Sequence, residues 1–225
     1  MTSLKFWSII IFFALSIGGC SASLDSNEKP AGINTAMLHA DVVTLHPLSM
    51  NGAKPPDGAL EQAADRIRPF LRGTLRIEET SMRNTPTTLP SHPVFRSNRF
   101  KPSLADITLV YIPNSPEIGR GLFSRFDDQH QQIVLNAAGI HAMTSPFLSE
   151  RDAWAIVITH ELGHAMGVPA GAGHSWEDGH CTNPRCVMYP RMDMRSILAA
   201  VFSLGPPRGF CDQCRAELES ARNAQ

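Results

Sequence analysis

The chain lacks a basic surplus. Twenty lysines and arginines stand against 21 aspartates and glutamates among 225 residues, a formal charge of -1. Broad electrostatic binding of nucleic acid rests on an excess of positive charge, so no nucleic-acid partner is expected. There is no internal repeat. Disorder is excluded as well, because 43% of the residues are hydrophobic, too many for a chain that cannot bury a core. The length suits one domain or a small two-lobed one. Seventeen prolines and 16 glycines suggest a loop-rich fold. Cysteine is scarce and odd in number, at five.

The N-terminus has an apolar run, but a short one. Phe6 to Ile17 is twelve residues, where a spanning helix needs about 20. With Lys5 before it, the run fits the apolar part of an export signal. Ile17-Gly18-Gly19 then leads into Cys20. Small residues before a cysteine at that place resemble a bacterial lipoprotein signal. The resemblance implies cleavage after residue 19, lipidation of Cys20 and a lipid-anchored place in the bacterial cell envelope. Ser21 is compatible with outer-membrane sorting in a Gram-negative host. With Cys20 given to the anchor, four cysteines remain for the fold.

Residues 21–36 are polar and contain proline and glycine, as expected of a tether. Asp41 to Leu45 reads as a first short strand. Pro55-Pro56-Asp57-Gly58 is a turn. Leu60, Ala63, Ala64, Ile67, Phe70 and Leu71 after it recur at helical steps, ending near Arg72-Gly73. Leu75 to Ile77 and Ile107 to Ile112 read as strands. Residues 80–104 read as a solvated loop with Arg83, Arg96, Arg99 and Lys101 and no acidic residue. Gly121 to Phe126, Asp127-Asp128 and Gln132 to Asn136 read as strand, turn and strand. A helix is expected after Ser149, with Ser149 and Asp152 resembling a capping box. Ser196 to Leu204 and Asp212 to Arg222 read as further helices.

The chemistry concentrates in His160-Glu161-Leu162-Gly163-His164. Residues four apart on a helix share a face, so two imidazoles can hold one zinc. Glu161 beside them can take a proton from a metal-bound water, whose pKa zinc lowers to about 7. Catalytic zinc wants three protein ligands and an open position. Gly167 can leave the helix in a left-handed conformation and turn the chain. Most metzincins place a third histidine three residues beyond that glycine; here Ala170 stands there. His174 and His180 are the later candidates.

The run His180-Cys181-Thr182-Asn183-Pro184-Arg185-Cys186-Val187-Met188 resembles the archaemetzincin motif. In that family the third histidine precedes a cysteine, four residues, a cysteine, one residue and a methionine. A Cys-x-x-Cys pair follows, here Cys211 and Cys214. The resemblance covers about residues 150–216. It implies that His160, His164 and His180 hold a catalytic zinc, with Glu161 as general base. Met188 is then the Met-turn residue, and Cys181, Cys186, Cys211 and Cys214 hold a structural zinc. The implied fold is α+β: a small mixed twisted sheet, an active-site helix and an irregular C-terminal lobe ending in a helix. The chain divides into a signal at 1–19, a lipidated cysteine and tether at 20–36, and a metallopeptidase domain at 37–225. The implied partners are a peptide or protein substrate and, through Cys20, a membrane.

The chain departs from the family in three ways. Twelve residues, Val168 to Gly179, stand between Gly167 and His180, where archaemetzincins have two. That insert carries His174, which stays open as an alternative third ligand. Twenty-four residues separate Cys186 from Cys211, more than the family pattern has. An envelope location also allows oxidation, so two disulfides remain an alternative to the structural zinc. A zincin with an acidic third ligand, Glu177 or Glu217, is a further alternative. Tyr189 lies one residue after Met188 and is expected to pack rather than catalyse. A zinc-binding envelope lipoprotein without turnover is the competing function; zinc binding alone does not require Glu161.

Overall fold

The computed structural model describes residues 32–78, 104–113, 124–127, 131–171, 173–176, 179–190 and 207–224. The export signal with Cys20, nearly all of the 80–104 stretch, Glu177 and the helix expected over Ser196 to Leu204 lie outside the described residues.

The described elements run α1 (Thr35–His39), β1 (Val42–Ser49), α2 (Ala59–Ile67) with a 3-10 turn at Arg68–Phe70, β2 (Thr74–Ile77), β3 (Asp106–Ile112), β4 (Ser124–Asp127), β5 (Gln132–Asn136), α3 (Ala137–Ala142), α4 (Glu150–Met166) and α5 (Asp212–Asn223). The strands form one sheet in the order β2-β1-β3-β5-β4. β2, β1, β3 and β5 are parallel neighbours, and β4 runs antiparallel to β5. The connection from Asp127 to Gln132 is too short for a crossover, which leaves only the antiparallel pairing. Among the described residues β4 forms one edge of the sheet. The fold is the α+β mixed sheet with helices and an irregular C-terminal lobe that the sequence implies.

Alternation sorts β3 between two faces. Ile107, Leu109 and Tyr111 enter the main core with α2 and α4, whereas Val110 and Ile112 join Leu48, Met50 and Val134 in a smaller cluster. Trp154 of α4 meets Tyr111 edge-on, ring centroids 5.7 Å apart. Both are fully buried, and each such side chain contributes about 1.5–3 kcal/mol by leaving water.

Helix α4 starts at the expected cap. Ser149 Oγ accepts from Asp152 N–H at 3.1 Å and its hydroxyl donates to Asp152 Oδ2 at 2.8 Å. Gln62 of α2 donates to Asp152 Oδ1 at 3.0 Å. This bond, ahead of those from Ser149 and the charges of Arg208 and Arg66, holds the Asp152 carboxyl below its ordinary range. Thirteen of the seventeen residues of α4 are buried, so it is the central helix and not a one-faced surface helix. Among the described residues no helix is long and apolar enough to cross a membrane.

Residues 32–36, assigned above to the tether, belong to the fold. Asn34 N–H donates to Met166 O at 3.0 Å and Asn34 Nδ2 to Ala165 O at 3.1 Å, while Met37 and Leu38 are fully buried. The segment satisfies carbonyls at the end of α4 that no further helical turn can reach. Helices α1 and α3 were not expected. Each is short and starts at an asparagine, Asn34 or Asn136, whose side chain accepts from a backbone N–H of the first turn.

Candidate metal centres

Helix α4 puts His160 and His164 one turn apart on one face. His160 Nδ1 lies 2.7 Å from Val187 O. A carbonyl only accepts, so Nδ1 carries the proton and Nε2 presents its lone pair. That lone pair faces His164 Nε2 at 3.2 Å. Two nitrogens on a tetrahedral zinc, each about 2.0–2.1 Å from it, stand about 3.3 Å apart. His180 is fully buried, stacked on His160 with ring centroids 5.2 Å apart and edge-on to His164 at 5.0 Å. One nitrogen from each of the three rings lies within 4.8 Å of the others. Burial, and then the charges of His160 and His180, hold the His164 pKa well below its ordinary value. It is therefore neutral at pH 7, the form that binds metal. Donor type, spacing and protonation fit one zinc ion.

Two glycines allow this arrangement. Gly167 caps α4 at φ 80°, with its N–H bonded to the end of the helix. A Cβ there would also meet Gly32 O at 2.6 Å. Gly163, inside the motif, has Met188 Sδ and Phe210 directly against it, where any Cβ would collide. Met188 is fully buried, so it forms a close apolar floor under the helix turn that carries both histidines.

The insert folds back on itself to deliver His180. Ser175 bridges Cys181, Trp176 N–H donates to His180 O at 2.8 Å, and Gly179 N–H donates to Trp176 O at 3.0 Å. Cys181 N–H donates to Met188 O at 2.9 Å, which ties the segment after His180 to Met188. Neighbours in an extended segment point opposite ways. His180 accordingly joins the imidazoles while Cys181 joins the thiols.

The four thiols converge, all Sγ atoms within 4.8 Å of one another. Cys181 and Cys211 are 3.7 Å apart, as are Cys186 and Cys214. All four are free thiols. Tetrahedral Zn–S bonds of about 2.3 Å set sulfurs about 3.8 Å apart, so the spacing fits a closed metal site. Asn183 N–H donates to Cys181 Sγ and Cys211 N–H to Cys186 Sγ. The Cys214 thiol, followed by backbone N–H donors, draws Cys186 down to about 5, and burial first of all pushes Cys181 up to about 12. Hydrogen bonding to Cys186, with burial, pushes Cys214 up as well. A thiolate on one sulfur disfavours ionisation of the others, and a cation among them would let all four ionise.

His174 is not with the other histidines. It sits at the thiol cluster, Nε2 3.4 Å from Cys214 Sγ. Glu217, on α5, accepts from Ala170 N–H at 3.0 Å and Gly171 N–H at 2.6 Å. The alternatives that made either residue the third ligand beside His160 and His164 are therefore corrected: the loop carries His174 to α5. Tyr189 packs on Trp176, ring centroids 5.4 Å apart.

Sequence reading missed Ser124. It is buried on β4 and its hydroxyl donates to Glu161 Oε1 at 2.5 Å. Nothing in Leu122-Phe123-Ser124-Arg125 marks it; only the pairing of β4 beside β5 and over α4 brings it to the site.

A scan against models of protein families and a search of curated proteins both give no match. Solved structures do match. Archaemetzincin from Methanopyrus kandleri aligns over 82% of this chain and 97% of its own, with a TM-score of 0.51 and 16% identity. A zinc-dependent peptidase from Methanocorpusculum labreanum covers 77% of this chain and 99% of its own, with 16% identity and a TM-score of 0.46. Archaemetzincin from Archaeoglobus fulgidus covers 78% and 99%, with 16% identity and a TM-score of 0.40. The fold is archaemetzincin-like.

Proposed function

We propose that the chain is a zinc-dependent peptidase, with Glu161 as its general base. The observation that carries this reading is the His160–His164 pair, its Nε2 atoms 3.2 Å apart beside the buried ring of His180. The archaemetzincin-like fold and the place of Glu161 between the two ligands on α4 support it. His160, His164 and His180 would hold the ion. When bound, zinc supplies Lewis acidity: it lowers the pKa of a water to about 7 and polarises the scissile carbonyl. Glu161 takes the water's proton and passes it to the leaving nitrogen. Ser124 holds the carboxylate by one oxygen, so that it does not swing away. β4, as an edge strand, offers backbone groups on which an extended peptide can pair.

Cys181, Cys186, Cys211 and Cys214 would hold a second, structural zinc that fixes the loop after His180. This reading takes the zinc over the disulfide alternative, on free thiols 3.7 Å apart in two pairs. The chain would be fastened to a bacterial envelope through lipidated Cys20, with peptides or proteins as substrates.

Cleavage of a mixed peptide library by the zinc-loaded chain tests the activity. Products should appear with wild type and vanish after chelation. Full metal loading with no cleavage of any peptide would favour the binding lipoprotein instead. Cys20→Ser should move the chain out of the membrane fraction.

A further inference from the structure

The twelve-residue insert is bound to the thiol cluster at two points. His174 is buried, 6% exposed, with Nε2 3.4 Å from Cys214 Sγ and 3.7 Å from Glu217 Oε2. Its own carbonyl accepts from Thr182 N–H at 2.9 Å, next to Cys181. Glu217 grips the start of the same loop through the backbone N–H groups of Ala170 and Gly171. Four thiolates around one doubly charged cation keep a net negative charge in a buried place, and such sulfurs need donors. Backbone N–H groups reach Cys181 and Cys186. Cys214, fully buried on α5, has the His174 imidazole. A carboxylate oxygen of Glu217 also lies within 4.8 Å of the Cys214 sulfur, and the two backbone N–H groups of Ala170 and Gly171 take up its charge.

From this geometry we infer that His174 is a positioning residue of the four-thiol centre: its Nε2–H donates to the Cys214 thiolate from outside the coordination sphere, with Glu217 holding the loop in register. The insert is then this chain's own clamp on the second metal, and it runs directly into His180. The inference rests on the four-thiolate zinc reading proposed above.

Cobalt(II) loaded into the full chain is the probe, because thiolate-to-cobalt charge transfer reports the thiol centre alone. In His174→Ala the band keeps its intensity at saturating cobalt, since all four thiolates remain. Cobalt then leaves to a competing chelator about 10-fold faster or more. His174→Gln keeps an N–H donor at similar reach and restores most of the difference. Unchanged release in His174→Ala overturns the inference. A weaker band or shifted visible bands would put His174 inside the coordination sphere and overturn it too. If wild type shows no such band, the four-thiolate reading fails and takes the inference with it. The peptidase reading is separable, because the band depends on neither His160, His164 and His180 nor cleavage.

Discussion

The hydroxyl of Ser124, on the edge strand, donates to Oε1 of Glu161 at 2.5 Å in a buried site. The proposed base is thus held from the neighbouring edge strand and not only by its own helix. A carboxylate that must meet a water between two histidines gains from losing rotamer freedom beforehand.

Ser124→Ala should therefore lower kcat about 10-fold, the order expected for one hydrogen bond to a charged group, with KM and zinc content kept. Ser124→Thr should recover part of the loss. Steady-state kinetics with metal analysis check this; an equal loss in both variants with reduced metal content would point to a folding defect.

Gly163 is required by contact, since Met188 Sδ and Phe210 occupy the space of a Cβ. Gly163→Ala should destabilise the fold by about 1–3 kcal/mol, as overpacking does. Adding Met188→Ala should give back part of that cost in a double-mutant cycle read by urea unfolding. Additive effects would contradict the contact.

The pKa of His164 lies well below its ordinary value in the fold, chiefly through burial. As pH falls below about 6.5 the unfolded chain takes up a proton that the folded chain refuses. More protons on the unfolded side mean that stability is full above that pH and declines below it. Urea unfolding of the metal-free chain between pH 8 and 5 should show this decline, and His164→Gln should flatten it.

Removal of the proposed structural zinc should loosen the join between the Met188 segment and α5. Cys214→Ser should lose the thiol-bound metal and raise proteolytic nicking near Met188, while α4 and the sheet, which do not depend on that join, keep their helix and strand signals.

Much of this was legible in the sequence because it was local. The α4 cap at Ser149, the paired histidines and the stop at Gly167 follow from helix geometry, and the structure has all three. The parts given to His180, Cys181, Cys186 and Met188 rest on the resemblance to the archaemetzincin motif, and alternation accounts only for His180 and Cys181 pointing opposite ways. Ser124 was not legible, because a serine in a strand carries no mark of the helix it will pack against. The place of His174 was hidden for a related reason. The insert's path depends on Glu217, 46 residues from Gly171, and no spacing rule spans that distance. Residues 32–36 read as tether because they continue a polar stretch, yet the Asn34 side chain donates to Ala165 O and accepts from Met37 N–H, and its backbone N–H donates to Met166 O.

The central claim is that Glu161 moves the proton while the three histidines hold the metal. Glu161→Gln, loaded with zinc and assayed beside wild type on the same peptides, tests it most directly. Zinc bound at the histidine site should match wild type while cleavage falls by about 100-fold or more. Cleavage unchanged at equal zinc content would contradict the account.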